Sequence, residues 1–253
     1  GTWTFTAGSA SVTAAAGGTA AIAVPDAVAA QGPVALDVLF LLDATGSMGD
    51  EIDQLKSSID SVADRVAALE GSPDVRLAMT IYRDEGDTFV TGTYDFTSDV
   101  DAFRAALAEV VADGGGDYPE ALDEAFDAAL TEPAWRDPAA TLQLIFLVAD
   151  APPHVERQVT GYDQSIRSAV ERGIKVFPVA SSESDDQAEA VFRQIAQATG
   201  ARFVFLSYGA GGAATGPSTD IDSTDYEELA LDDLVVRLVA EGVAALTGDG
   251  GVA

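Results

Sequence analysis

Short apolar runs alternate with segments of helical period from Val34 towards the end of the chain. Apolar runs of this length are typical of buried strands, and they lie at 35–42, 75–82, 88–95, 142–149, 174–180 and 202–207. After the first run, apolar residues recur every three or four positions and predict an amphipathic helix: Ile52, Leu55, Ile59, Val62 and Val66. This alternation favours an α/β fold with a mainly parallel central sheet and helices on both faces.

Further stripes of helical period follow the later strands. They predict helices around 100–107, 122–130, 191–198 and 231–238. The strands at 75–82 and 88–95 are joined only by the polar segment 83–87, which predicts a hairpin. We therefore expect one antiparallel edge strand on an otherwise parallel sheet.

The two ends of the chain differ from its middle. Residues 1–33 are small, polar and β-rich, which predicts two or three short strands in an N-terminal extension or in the remnant of a flanking β module. Residues 34–247 form the predicted main domain, in which a loop rich in Gly, Ser and Thr, 209–224, precedes the last helix. Residues 248–253 are expected to be a disordered tail.

Composition narrows the classes of function. The formal net charge is -29, so a polyanion such as nucleic acid is repelled. The surplus of acid fits a cation-rich surface, a salt-rich habitat or charged faces that are simply solvated. There is no Cys and a single His, which argues against thiol chemistry and multi-histidine metal sites. No apolar run approaches the ~18–20 residues of a membrane span.

The end of the first strand carries candidate metal ligands. It reads Asp43-Ala44-Thr45-Gly46-Ser47, and the alternation lets one carboxylate and two hydroxyls converge where ligands collect in parallel sheets. Such hard oxygen donors suit Mg²⁺, Ca²⁺ or Mn²⁺. The alternative is that these residues cap the following helix.

Two other segments place acids at the same edge of the sheet. Glu120 follows Gly114-Gly115-Gly116-Asp117-Tyr118-Pro119 and stands near the start of a helix, whereas Asp150 ends the buried strand at 142–149. Each acid alone has an ordinary explanation, because acids are common in first helical turns and at strand ends. Three segments that converge on one edge favour a cation site.

These three segments resemble a known family. DATGSM matches the D-x-[ST]-x-S metal-ion-dependent adhesion site of von Willebrand factor A domains, and the resemblance spans Val34 to Thr247. Within that family, GGGDYPEA and LVADAPPH look most like the integrin β-subunit I-like domain and bacterial surface proteins of this type. The resemblance implies a Rossmann-like α/β fold with a surface cation.

The resemblance also implies roles for single residues. Thr45, Ser47 and Glu120 would be direct or near-direct ligands, with Asp43 and Asp150 holding bound water or the ion itself. Most members have a Thr in the second loop, whereas this chain offers Asp117 and Glu120, which would make the site more negative. One coordination position would stay open for a ligand.

Flanking cation sites are a second implication. Asp50 and Glu51 would serve one of them, and Asp84, Asp117 and the Pro119 carbonyl another, which is weakened because Gly115 replaces the expected Asn. The alternatives are solvated loop acids and, for Asp50 and Glu51, first-turn helix acids. A ligand-binding rim would comprise Tyr118, Arg83 and His154, although a lone loop His is more often a hydrogen-bonded structural residue.

The expected function is metal-dependent adhesion. The bound Mg²⁺, Ca²⁺ or Mn²⁺ would grip an Asp or Glu carboxylate of a protein partner, without catalysis. The other hypotheses are a metal-stabilised structural module and a Mg²⁺-dependent hydrolase. We expect flanking domains in a larger parent protein and an extracellular or cell-surface setting, bacterial by composition.

Overall fold

The chain is represented by a computed structural model that describes residues 2–7, 10–15, 33–116, 118–155, 161–181, 184–205 and 230–247. Near the N-terminus, β1 (Thr2–Ala7) and β2 (Ala10–Ala15) pair in an antiparallel hairpin. The predicted boundaries of the extension and the main domain remain predictions. The predicted tail at 248–253 and the loop at 209–224 lie outside the described residues.

Within the described part of the chain, six strands form one sheet in the order β5-β4-β3-β6-β7-β8. Their bounds are β3 (Ala35–Asp43), β4 (Asp74–Tyr82), β5 (Thr91–Thr97), β6 (Thr141–Ala149), β7 (Lys175–Ala180) and β8 (Val204–Phe205). All neighbouring strands are parallel except β4 and β5, which are antiparallel. This confirms the predicted mainly parallel sheet with one antiparallel edge.

Helices connect the parallel strands and cover both faces of the sheet. Their bounds are α1 (Gly49–Ala67), α2 (Val100–Ala108), α3 (Leu122–Thr131), α4 (Tyr162–Arg172), α5 (Asp186–Ala198) and α6 (Leu231–Thr247). Among the described residues, no helix combines the length and the apolar content that crossing a membrane requires.

The core has one apolar layer on each face of the sheet. In β3, Phe40 and Leu42 join the layer with α1 and α6, whereas Leu39 and Leu41 join the layer with α3 and α5. A strand buried on both faces has to be apolar at nearly every position, which explains the continuous apolar runs of β3 and β6. Phe146 stacks between Phe40 and Phe177, with ring centroids 5.8 Å and 5.4 Å away.

One buried carboxylate fastens the end of the sheet opposite to the carboxyl ends of the parallel strands. Asp37 in β3 accepts hydrogen bonds from Arg76 Nε and Nη2 at 2.9 Å and 2.8 Å, and from Arg136 Nε at 2.8 Å. Burial would raise the pKa of Asp37, but the hydrogen bonds from these arginines hold it below its ordinary value. The segment before β6 is thereby tied to β3 and β4.

Local details differ from the prediction. The edge strand runs at Thr91–Thr97, three residues later than expected, because the polar turn extends to Val90, whose carbonyl accepts the Arg83 N–H. Helix α4 was not predicted, since it buries only Ser165 and Ala169 fully and its apolar stripe, Tyr162, Ile166 and Ala169, is short. Strand β8 is described only as Val204–Phe205, and the rest of the predicted strand lies outside the described residues.

Candidate metal site

Three loops meet where β3 and β6 end. Gly46 N–H donates to the Gly114 carbonyl at 3.1 Å, and Asp113 N–H donates to the Ala44 carbonyl at 3.0 Å. Glu120 N–H donates to the Pro152 carbonyl at 3.1 Å. Main-chain hydrogen bonds therefore fix the loops after β3, before α3 and after β6 against one another.

The loop after β3 is organised around the Asp43 carboxylate. Its Oδ1 accepts the Thr45 N–H at 2.9 Å and the Thr45 hydroxyl at 2.7 Å. The hydroxyls of Thr45 and Ser47 are 3.4 Å apart. Asp43 is fully buried, and its Oδ2 has no hydrogen-bond partner among the described residues.

The helix-capping alternative does not hold for this loop. Thr45 precedes a short 3₁₀ turn, Gly46–Met48, and α1 begins at Gly49 after Met48. In neither case does a side chain of the described residues accept a hydrogen bond from the helix N-terminus. The hydroxyls of Thr45 and Ser47 are thus oriented by Asp43 and by each other rather than used as caps.

Glu120 and Asp150 face the same cleft as this loop. The cleft has a volume of about 460 Å³ and is lined by Thr45, Gly46, Ser47, Gly114, Gly115, Tyr118, Glu120 and Asp150. Glu120 precedes α3, is only 5% exposed, and its Oε2 has no partner among the described residues. Asp150 directly follows β6 and is also buried.

Gly115 closes one side of this cleft at its backbone. A Cβ built on Gly115 would lie 2.7 Å from Glu120 Oε1 and 2.8 Å from Thr45 Cβ. Its φ of +71° belongs to the left-handed region, which favours glycine. Glu120 and Thr45 are therefore neighbours across a backbone that leaves no room for a side chain.

The acids in the cleft raise one another's pKa. Burial, followed by the charge of Asp150, raises the pKa of Asp43 to about 7. Burial, followed by the charge of Asp43, raises the pKa of Glu120 to about 8. Buried carboxylates that repel one another ionise readily only when a positive charge joins them.

The donor set fits a hard divalent cation. Among the described residues, no three His, Cys, Asp or Glu side chains are close enough to hold a metal by themselves. A cation here would therefore also use the hydroxyls of Thr45 and Ser47. One buried carboxylate oxygen of Asp43 and one of Glu120 have no partner in the described part of the chain, which matches what such an ion requires.

The predicted rim cations are directed away from the cleft. Arg83 is buried, and its guanidinium donates to the Ala44 carbonyl at 3.2 Å and to the Val111 carbonyl at 2.8 Å. His154 is buried as well, with Nε2 2.6 Å from Asp84 Oδ1. The hydrogen-bonded structural alternative for His154 matches this geometry, and Arg83 ties two of the loops together.

The flanking-site residues are placed unequally. Asp50 and Glu51 lie in the first turn of α1, as the alternative for them predicted, with Asp50 exposed and Glu51 buried. Asp84 is buried beside His154, so the Asp84 carboxylate oxygen that could bind a third cation is already hydrogen-bonded to His154. Pro119 is half-buried next to Glu120, and Asp117 lies outside the described residues.

Tyr118 is the rim residue that the structure brings to the cleft. It lines the cleft and is 46% exposed. Its hydroxyl donates to the Asp150 carbonyl and accepts the Asp185 N–H, both at 3.4 Å. Tyr118 thus links the cleft to the N-terminus of α5.

Two residues near the site were missed in the sequence. Asp87 Oδ2 accepts the Gly115 N–H at 3.0 Å and the Asp84 N–H at 3.2 Å, which ties the 83–87 turn to the glycine loop. Its position three residues after Asp84 in a polar turn was the available signal. Tyr82 pairs with Asp43 across β3 and β4, and burial and the charge of Asp43 raise its pKa well above the ordinary value. No sequence signal distinguishes Tyr82 from an ordinary strand residue.

The comparisons with known proteins identify a domain family. A family model described as von Willebrand factor A domain matches residues 37–214. A protein of Rattus norvegicus named von Willebrand factor A domain-containing protein 7 is 35% identical over 116 residues, which cover 45% of this chain and 12% of that protein. Alpha-protein kinase vwkA of Dictyostelium discoideum is 30% identical over 120 residues, 47% of this chain and 19% of the kinase.

Solved structures agree with this fold. Proximal thread matrix protein 1 from the mussel byssus, with a zinc-occupied MIDAS motif, matches with a TM-score of 0.59 and 13% identity. The match covers 83% of this chain and 46% of the mussel chain. The chain therefore spans less than a fifth of these curated relatives and about half of the mussel structure.

Proposed function

The chain belongs to the von Willebrand factor A domain family, and we propose that it is a binding module whose divalent cation holds an acidic group of a protein partner. The observation that carries this proposal is the meeting of Thr45, Ser47, Glu120 and Asp150 at one cleft, with Asp43 buried against Thr45. A buried carboxylate oxygen of Asp43 and one of Glu120 have no hydrogen-bond partner among the described residues. When bound, the cation supplies a Lewis-acidic position for an anionic oxygen.

The residues of this chain would hold and tune that cation. Glu120 and the hydroxyls of Thr45 and Ser47 face the cleft as candidate ligands. Asp43 accepts from Thr45 and so directs the hydroxyl oxygen lone pairs away from itself and towards the cleft. Asp150 adds negative charge beside Asp43 and Glu120.

We propose Mg²⁺ or Ca²⁺, with Mn²⁺ as a substitute, for this position. The donors are carboxylates and hydroxyls, which hard cations prefer, and His154 is engaged with Asp84. The mussel protein with zinc in its MIDAS motif indicates that a motif of this kind also accepts a softer ion. Metal affinity should therefore be compared for all four ions.

Exposed apolar side chains support a protein partner rather than a small carboxylate. Val111 is 62% exposed, Tyr118 46% and Val155 48%. Tyr118 lines the cleft, Val111 precedes the glycine loop by a few residues, and Val155 N–H donates to Pro153, which is paired with Glu120. Apolar residues around a polar anchor are typical of contact surfaces for other proteins.

We propose that the module is not catalytic. Hydrolysis at such a metal site usually needs basic groups that stabilise developing negative charge. Among the described residues, the basic side chains nearest the cleft are Arg83 and His154, which are buried against carbonyls and against Asp84. The kinase named among the relatives is about five times longer than the matching segment, so its activity is not attributed to this module.

We also propose that the module works outside the cell as part of a larger protein. The relatives are much longer than the matching segment. The acidic surface and the absence of Cys are compatible with an extracellular, bacterial parent, which stays a prediction from composition.

The proposal is tested in two steps with the full chain. Calorimetry should show saturable binding of Mg²⁺, Ca²⁺ or Mn²⁺, weakened at least tenfold or so by Glu120→Gln, because removal of one ligand charge lowers cation affinity. The matched control is Glu70→Gln, an exposed acid in the loop between α1 and β4 at the other end of the sheet.

Partner binding is then measured with immobilised peptides that contain Asp or Glu and with their Asn or Gln counterparts. Binding should need both the metal and the carboxylate. Metal binding that stabilises the fold without any peptide binding would favour the structural-module hypothesis. Wild-type affinity of Glu120→Gln for the ion would overturn the site itself.

A further inference from the structure

We infer that the partner segment is net basic, with Lys or Arg residues flanking the single carboxylate that reaches the cation. This inference rests on the proposed function and names the chemistry of its partner. It depends on the charges that surround the cleft, which belong to several separate elements of the fold.

Exposed acids surround the cleft on several sides. Asp50 lies in the first turn of α1, Asp113 beside the cleft residue Gly114, and Asp185 at the start of α5. The side chain of Asp113 is 76% exposed. Asp185 N–H contacts the Tyr118 hydroxyl at 3.4 Å, which places it next to the cleft rim.

The nearby cations offset this charge only in part, through the ion pair of Arg83 with Asp113. Arg83 is buried and donates to two carbonyls, and its distance to Asp113 is 3.7 Å. Lys56 donates to the Val110 carbonyl at 2.7 Å, and His154 is buried against Asp84. Within the described residues, the basic groups beside the cleft thus serve the loops rather than an incoming ligand.

The acids that line the cleft add to the negative charge of the rim. Glu120 is almost completely buried, faces the cleft, and has a carboxylate oxygen without a partner among the described residues. A single divalent cation offsets two negative charges, fewer than the exposed acids Asp50, Asp113 and Asp185 beside the cleft carry together. The site and its surroundings remain net negative with the ion bound.

A ligand carboxylate must therefore approach through a repulsive field. At about 0.1 M salt the screening length is ~10 Å, so acids at the rim still act on a ligand that reaches the cleft. Basic residues beside the ligand carboxylate turn this repulsion into attraction and raise the association rate. A polyacidic segment, by contrast, has one favourable contact with the ion and several unfavourable ones with the rim.

The test compares peptides that share one central Glu. Three series carry basic, neutral or acidic residues on both sides of it, and the full chain is titrated with each in saturating Mg²⁺. We expect the basic series to bind about tenfold more tightly than the neutral one and the acidic series to bind most weakly. The differences in affinity between the three series should become smaller as the salt concentration increases. Replacing the central Glu by Gln should abolish the metal-dependent part.

Rim variants provide the control within the protein. Asp113→Asn and Asp185→Asn remove charge without touching the cleft, and Asn at 185 still caps α5, as Asp185 does through Ala188 N–H. Together they should reduce the preference for basic flanks about threefold, since each removes one charge within the screening length, whereas Glu70→Gln should leave it unchanged.

The outcomes separate the two hypotheses. Equal affinity for all three series, with metal-dependent binding intact, overturns the inference about the partner but leaves the proposed function standing. A preference for acidic flanks overturns the inference as well. Metal binding without binding of any peptide series overturns the proposed function.

Discussion

Substitution of Gly115 by Ala isolates the contribution of cleft geometry to metal binding. The new methyl group would lie 2.7 Å from Glu120 Oε1 and 2.8 Å from Thr45 Cβ, which is 0.7 Å and 0.6 Å inside the 3.4 Å at which ordinary contact begins. Metal sites tolerate deviations of only about 0.2 Å in ligand distance. Pushing Glu120 and Thr45 outwards should therefore weaken cation binding strongly, by about tenfold or more.

Gly173→Ala is the matched control. Gly173 follows α4 with the same φ of +71°, but a Cβ there has open space within 4 Å. Both substitutions carry the cost of a left-handed residue with a Cβ, about 1–2 kcal/mol. Only Gly115→Ala adds the clash in the cleft.

Calorimetry with Mg²⁺ and Ca²⁺, together with urea unfolding in chelator, separates these effects. Both variants should lose about 1–2 kcal/mol of stability from backbone strain, with more lost at Gly115, and only Gly115→Ala should lose affinity for the ion. If the two variants bind the cation equally well, Glu120 and Thr45 are not its ligands and the cleft assignment is wrong.

Three further predictions follow from burial and charge. Because the pKa of Asp43 is raised to about 7 and that of Glu120 to about 8, the folded metal-free protein holds more protons than the unfolded chain, so its stability should fall as pH rises from about 4 to 8. Saturating cation should reduce this fall in urea-unfolding series, and identical pH profiles with and without metal would contradict it. Asp37→Asn takes the Asp37 carboxylate away from Arg76 and Arg136 and should lower the free energy of unfolding in urea by about 3 kcal/mol, while metal affinity is unchanged. A loss below ~1 kcal/mol would show that these hydrogen bonds do not stabilise the fold. Arg83→Met removes the hydrogen bonds that join the Ala44 and Val111 carbonyls and should weaken metal binding about tenfold by calorimetry. The control is Arg104→Met, which removes an exposed ion pair and should leave metal binding unchanged. Equal effects of the two variants would show that Arg83 does not position the cleft loops.

The fold followed closely from the chain because its signals are local and repeated. β3 and β6 are buried on both faces, and their continuous apolar runs therefore predicted them correctly as central strands. The apolar stripe of α1 likewise predicted which side of that helix is buried. The predicted position of the edge strand β5 was wrong by three residues at its start, because the strand is partly exposed and its alternation of apolar and polar residues is weak. Helix α4 was missed for the same reason, since few of its positions are buried.

By itself, the sequence determined the α/β class, the parallel direction of the buried strands and the chemical type of the candidate ligands, because periodicity and residue type are properties of short segments. Only the tertiary structure decided which acids share a cleft, because Glu120 and Asp150 belong to separate segments that meet through loop-to-loop hydrogen bonds. It also decided that Arg83 and His154 are directed inwards, since the direction of a long side chain depends on carbonyls and acids supplied by distant loops.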